Sequence, residues 1–264
     1  MNIDFHTHGK LAKKLPFSKE YTDWLFEEAV VSGLDAICLT EHFNTQGFSE
    51  IYKYIKTEFT KDEDSYLTNK GLRIFPGMEV DIAEGGHTLV IGDIDSILEL
   101  NHRLEKQKEK DSFMSANQWC ELAKEYPVIL GVGHPYREGG HIPELSLNVL
   151  QNFEFIEMNG KDTACYGDSN IIKLEMLRAK LDCSIVAGSD THQSFQYGCA
   201  YNIFQKECST IAELQSEMES GNYNIYVSEN VEFKVKVAKV LKRALKAIHA
   251  SGGDYVSVLV NEGV

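Results

Sequence analysis

Asn2-Ile3-Asp4-Phe5-His6-Thr7-His8 places two imidazoles two residues apart in an apolar, strand-like run. Side chains at i and i+2 of an extended segment leave the same face, so His6 and His8 point together and can hold one metal ion. That is half a metal site, and the other half is sought at the ends of later strands. Such runs follow in order: Asp35-Ala36-Ile37-Cys38-Leu39-Thr40, Arg73-Ile74-Phe75, Thr88-Leu89-Val90-Ile91, Val128 to Val132, Phe155 to Met158 and Ser184 to Ala187. Between them, Ser18 caps a predicted helix with Tyr21, Leu25, Ala29 and Val30 on one face, ending near Gly33. A second helix is predicted from Ser49 to Phe59. Alternating strands and helices without a Pro/Gly/Ser-rich linker predict an α/β fold with a largely parallel sheet, most simply a barrel.

The 264 residues, 43% of them hydrophobic, suffice for a substantial core. A net charge of −14 disfavours a surface built to neutralise nucleic-acid phosphates, although a small channel can still be locally positive. The six cysteines are scattered, form no C-x-x-C pair and follow no leader-like segment. They are expected to be reduced, space-filling thiols in a cytoplasmic protein. No apolar run approaches the ~20 residues of a membrane helix, so no membrane partner is expected.

The polar residues cluster at strand ends. His6 and His8 close the first strand and Glu41-His42 the second; Gly77-Met78-Glu79 follows the third, and Gly86-His87 opens the next. Later come Gly133-His134-Pro135, Glu157 before Asn159-Gly160, and Gly188-Ser189-Asp190-Thr191-His192. If all strands run one way, these ends converge on the face where barrel active sites are built.

The ordered series DFHTH, LTEH, GMEV with GGHTLVIG, GHP and GSDTH resembles the PHP (polymerase and histidinol phosphatase) superfamily of metal-dependent phosphoesterases, over roughly Asp4 to Tyr226. The resemblance implies a distorted (β/α)7 TIM-like barrel, here spanning residues 1–228, with residues 229–264 as a C-terminal helix and tail packed on it. It also implies two or three divalent metals on the C-terminal rim. By that resemblance His6, His8, Glu79 and Asp190 hold the first, Glu79 bridges to a second held by His87 and His134, and His42 and His192 contribute to a third. Relatives with a full third site carry another His or Asp shortly after the first pair. Here that stretch is Gly9-Lys10-Leu11-Ala12-Lys13-Lys14, and lysine is a poor ligand at neutral pH. Without the third metal, His42 or His192 is available as a general acid.

Imidazole and carboxylate donors suit zinc, manganese or iron. Two such ions ~3.5–4 Å apart lower the pKa of a shared water and neutralise phosphoryl oxygens, which prepares attack on phosphorus. Arg137, Lys10 and Lys161 are candidate phosphate contacts, Arg137 foremost because it follows His134 in the same loop. His141 is a candidate rim contact or a solvated loop residue. Glu157 is either a ligand or the outer partner that orders a metal-bound histidine. Glu41 is read as an outer or structural carboxylate, and His102 and His249 as surface residues.

From Val231 to Ala250 apolar residues recur at near-helical spacing among lysines, with an early alternation that also fits a strand. The expectation is a helix on the barrel with its lysines in water. Function is read as hydrolysis of a small phosphomonoester such as histidinol phosphate or a sugar or nucleotide phosphate. The alternatives are a nuclease or nucleotide phosphodiesterase, and a non-catalytic metal-binding regulatory module. Sequence alone leaves the oligomeric state open.

Overall fold

Eleven strands form one sheet in the computed structural model, which describes residues 1–260. They are β1 (Asn2–Thr7), β2 (Ala36–Leu39), β3 (Thr60–Asp62), β4 (Ser65–Leu67), β5 (Arg73–Asp81), β6 (His87–Gly92), β7 (Val128–Gly133), β8 (Phe155–Asn159), β9 (Ser184–Gly188), β10 (Ala200–Phe204) and β11 (Tyr223–Val227). The order β11-β10-β1-β2-β5-β6-β7-β8-β9 carries seven strands, β1, β2 and β5 to β9, round a nearly closed barrel. Helices cover its outer face. Asn202 of β10 spans the gap between β9 and β1: its Oδ1 accepts from Ala187 N at 2.8 Å and its Nδ2 donates to Ile3 O at 3.0 Å. Among the described residues no helix is long and apolar enough to cross a membrane.

The helix predicted behind Ser18 runs over Lys19–Val31, and the Ser18 side chain accepts from Tyr21 N. Tyr21, Leu25, Phe26 and Ala29 form its buried face, the spacing that lays one side of a helix on a sheet. The helix predicted from Ser49 is found at Phe48–Glu58. Barrel and helices thus define two apolar layers. One lies between strands and helices; the other fills the barrel interior with Ile3, Phe5, Phe75, Leu89, Ile129, Phe155 and Val186.

The expectation of a largely parallel sheet needs correction. β1-β2-β5 and β7-β8-β9 are parallel, but β6 is antiparallel to both β5 and β7, as are β1 to β10 and β10 to β11. The turn from Ile82 to Gly86 is too short for a crossover helix, so the chain must reverse there. Reversal is what puts His87, the first residue of β6, at the same rim as the end of β5, paired with Asp81. The three-residue strands β3 and β4 are too short to announce themselves, and the apolar runs of β10, between β11 and β1, and of the edge strand β11 are broken by Asn202 and Asn224.

The segment from Val231 to Ala250 is helical throughout, so the strand alternative is not taken. The helix packs on the helix Gly160–Tyr166 and the turn Ser194–Gln196. Its lysines are not all in water, contrary to expectation: Lys239 and Lys242 face a cleft over the barrel rim. Residues 261–264 of the expected tail lie outside the described residues. Cys165 is exposed, against the expectation of a space-filling thiol, whereas Cys38, Cys120, Cys199 and Cys208 are buried.

Candidate metal centre

The strand register delivers the cluster. Between Asp4 and Thr7 the pairing of β1 with β2 slips, three steps along β1 matching two along β2. Such a bulge re-aims side chains: Phe5 packs against Phe155 inside the barrel while the next residue, His6, also turns inward beside Glu157 and Glu79. At the opposite corner, His134 and Asp190 have positive φ, 30° and 57°, which non-glycine residues adopt only when their surroundings enforce it. The enforcing bonds are His134 N to Glu157 Oε2 at 2.8 Å and Asp190 N to His6 O at 2.8 Å. Gly188 permits the close approach of β9 to β1; a Cβ there would lie 2.6 Å from both Glu157 Oε1 and His6 Cβ.

Glu79 stands at the centre, buried beside five imidazoles. Its Oε2 faces His42 Nδ1 at 2.5 Å, His8 Nε2 at 3.5 Å and His6 Nε2 at 3.6 Å, while Oε1 faces His134 Nε2 at 3.2 Å and His87 Nδ1. Asp190 Oδ1 lies 3.2 Å from His8 Nε2, 3.7 Å from His192 Nε2 and 3.8 Å from His6 Nε2. Four groups therefore offer donor atoms within 4.8 Å of one another: His6, His8 and Asp190; Glu79, His87 and His134; His8, His42 and His192; and His6, His134 and Glu157. All eight residues expected as ligands meet here.

A divalent cation fits this donor set on an observation independent of any motif. His6 Nε2 is buried without a hydrogen-bond partner, and His42 Nδ1 and Glu79 Oε2, although 2.5 Å apart, do not meet in hydrogen-bond geometry. A buried polar atom left unpaired costs about 1–3 kcal/mol, and several aimed at one point are the arrangement a cation satisfies.

The outer partners orient these donors. His6 Nδ1 donates to Glu157 Oε1 at 2.9 Å, leaving Nε2 for the centre, and Glu157 also accepts from Asn159 Nδ2 at 2.6 Å. Glu157 is thus occupied in ordering His6 and His134, although it also falls within donor range of both. Glu41 lies 3.6 Å from His8 Nδ1 and accepts from Gly9 N and His42 N. His192 Nδ1 donates to Lys10 O at 2.9 Å. Asp81 accepts from His87 Nε2 at 2.9 Å and pairs with Lys13. Sequence reading missed Asp81, although the rule applied to His6 and His8 finds it: two residues after Glu79 on one strand, it shares Glu79's face.

Charge follows placement. Burial works against protonation of His6, but Glu157, Glu79 and Asp190 outweigh it and hold its pKa well above the ordinary value; His8 is raised likewise. His87 is lifted to about 10 by Glu79 and Asp81 over the same burial penalty. Burial dominates elsewhere, bringing His42 down to about 4 and lowering His134 and His192. Glu79 and Asp190 sit well below the carboxylate range because the imidazoles, and Arg137 for Asp190, overcome their burial.

The expected phosphate contacts fare unequally. Lys10 is withdrawn: its buried ammonium donates to Lys13 O in its own loop and to Thr45 Oγ1 and Gln46 O in the loop after β2. His141 is exposed, pairs with Glu144 and does not line the cleft. Arg137 does line it, but its guanidinium is held by Asp190 Oδ2 at 2.8 Å, by Asp162 and by Asn159 Oδ1. Only Lys161 stands in the cleft without an ion-pair partner in the described residues, as do Lys239 and Lys242, which the sequence placed in solvent. The cleft measures about 270 Å³, with the cluster as its floor and the helix Val231–Ala250 as one wall.

The PHP domain family matches residues 4–165. The chain belongs to the PHP family. Asp190 and His192 lie beyond the matched segment and join the PHP site through the geometry above. No curated protein sequence matches the chain. Among solved structures it is similar to PsfC from Pseudomonas syringae PB-5123, with TM-score 0.75 and 21% identity over 92% of this chain and 98% of that one. It is also similar to the lesion-specific endonuclease PfuEndoQ from Pyrococcus furiosus, with TM-score 0.67 and 18% identity over 85% of this chain and 57% of that one. An amidohydrolase from Chromobacterium violaceum follows, with TM-score 0.54 and 13% identity over 86% of this chain and 98% of that one. At these identities the likeness is one of fold.

Proposed function

We propose that this PHP protein is a metal-dependent phosphoesterase acting on a small phosphomonoester. The observation that carries the reading is the cleft: about 270 Å³, floored by the histidine and carboxylate cluster and walled by the C-terminal helix. That volume suits a small ligand, and the wall leaves little room for a polynucleotide. Divalent ions held by the donor groups to which His8, Asp190, Glu79 and His192 belong would supply charge neutralisation for the phosphoryl oxygens and a more acidic water. Glu79 and Asp190 stay ionised as ligands, Glu157 and Asp81 fix the orientation of His6 and His87, and Glu41 supplies negative charge beside His8. Burial keeps His42 and His192 neutral, so they serve as donors to a metal rather than as general acids. Lys161 is the phosphate contact, and Arg137 acts through Asp190. The complete donor set disfavours a non-catalytic module.

The test loads the protein with zinc, manganese or iron and offers phosphomonoesters, bis(4-nitrophenyl) phosphate and labelled single-stranded DNA. Release of phosphate from a monoester, abolished by chelator and by Glu79→Gln, is the expected result. Clean shortening of the DNA with no monoester hydrolysed would overturn the proposal in favour of a nuclease.

A further inference from the structure

The helix Val231–Ala250 presents Val235, Ala238, Lys239 and Lys242 to the cleft. Their spacing of i, i+3, i+4 and i+7 is one helical face, and Lys246 continues it by a further turn. Lys161 enters the same cleft from the helix Gly160–Tyr166, on which the C-terminal helix packs.

In a chain with 40 acidic and 26 basic residues, cations have carboxylates to choose from. Surface lysines such as Lys19, Lys56 and Lys124 take them, while others, Lys53, Lys180 and Lys236 among them, stand in open solvent without one in the described residues; the cleft lysines have neither open solvent on all sides nor a carboxylate. Among the described residues Lys161, Lys239 and Lys242 take none. The cleft's own carboxylates are spent on the floor: Glu79 on imidazoles, Asp190 on imidazoles and Arg137. Like charges crowd on the wall: burial above all, then Lys246 and Lys161, bring Lys242 down to about 8 against the pull of Asp190 and Glu41 from the floor. A scissile phosphoryl group bound to the cluster is neutralised there and leaves this wall without a counter-charge.

We infer that the cleft contains a second anion subsite, formed by Lys239 and Lys242 with Lys161 beside them, and that the favoured ligand is a small phosphorylated molecule carrying a second anionic group. The group is a carboxylate or a further phosphoryl, which share the charge and acceptor oxygens that ammonium groups recognise. The inference rests on the phosphoesterase reading only for what occupies the floor. It makes the C-terminal helix a determinant of specificity as well as a covering element.

Binding of inert three-carbon probes to the zinc-loaded protein, followed by calorimetry, tests it apart from turnover. The probes are propylphosphonate, 3-phosphonopropionate and propane-1,3-diphosphonate. At least one doubly charged probe is expected to bind ~10-fold or more tightly than propylphosphonate. In Lys239→Gln/Lys242→Gln that advantage should fall below about twofold with propylphosphonate unchanged. Lys236→Gln, off the cleft face, should preserve it. Which probe gains identifies the second group. Equal binding of all three, or an advantage that survives the double substitution, overturns the inference. If the advantage is present and lysine-dependent while no phosphomonoester is hydrolysed, the phosphoesterase reading falls and the subsite stands.

Discussion

Glu157→Gln isolates what an outer carboxylate contributes to this centre. In the native protein Oε1 accepts from His6 Nδ1 at 2.9 Å and Asn159 Nδ2 at 2.6 Å, while Oε2 accepts from His134 N at 2.8 Å. A glutamine of the same volume has one acceptor oxygen and must point its amide NH₂ at one of those donors. If it faces His134, a buried backbone N–H is left unpaired at a cost of about 1–3 kcal/mol. If it faces His6, the Nδ1 proton loses its acceptor and can move to Nε2, the atom 3.6 Å from Glu79 and 3.8 Å from Asp190 that must offer a lone pair. Relief by movement is limited, because β9 already approaches so closely that only Gly188 fits. Loss of such a partner weakens metal binding ~10–100-fold, or ~1.4–2.7 kcal/mol. Titration against a competing chelator reads the affinity, and denaturant unfolding of metal-free protein reads the backbone penalty. A well-folded variant that binds metal within twofold of the native protein would refute the assignment of Glu157 as the residue that sets the His6 tautomer.

Three further outcomes follow from the same geometry. His6, His8 and His87 have raised pKa values, so they hold protons in the metal-free protein at neutral pH and must release them to ligate. Apparent metal affinity should therefore keep rising with pH from below neutrality up to about 10, where His87 gives up its proton, and heats of binding should vary with the ionisation enthalpy of the buffer; buffer-independent heats would contradict this. Arg137→Ala frees Asp190 Oδ2 and should lower metal affinity ~10-fold; a higher KM with full metal content would put the guanidinium on the substrate instead. Gly131→Ala would place a Cβ 2.1 Å from the ring of Phe155 inside the barrel. It should cost about 1–3 kcal/mol and lower Tm by roughly 4–10 °C, so an unchanged melting curve would show that the interior yields more easily than its packing indicates.

The sequence by itself determined the ligand chemistry and the strands that carry it. Each runs only a few residues, and each leads directly into His6 and His8, Glu41-His42, Glu79, His134, Glu157 or Asp190, so local pattern and chemistry coincide. It also determined the Ser18-capped helix and the later turns of the helix at 231–250, because caps and a 3.6-residue period are properties of neighbouring residues; the alternation at its start left helix and strand open. Direction was less legible. That β6 reverses and brings His87 to the rim beside Asp81 depends on a turn of a few residues, and β10 turns a polar residue, Asn202, to its buried side, so no apolar run marks it. The division of labour among the polar residues was decided by the tertiary structure alone. Lys10 finds oxygens in the loop after β2, Arg137 finds Asp190, Glu157 finds His6 across 151 positions of sequence, and Lys239 and Lys242 meet a cleft built by strands far upstream. A charged side chain takes whichever partner folding brings within about 3 Å, and that partner is set by long-range packing that no local period encodes.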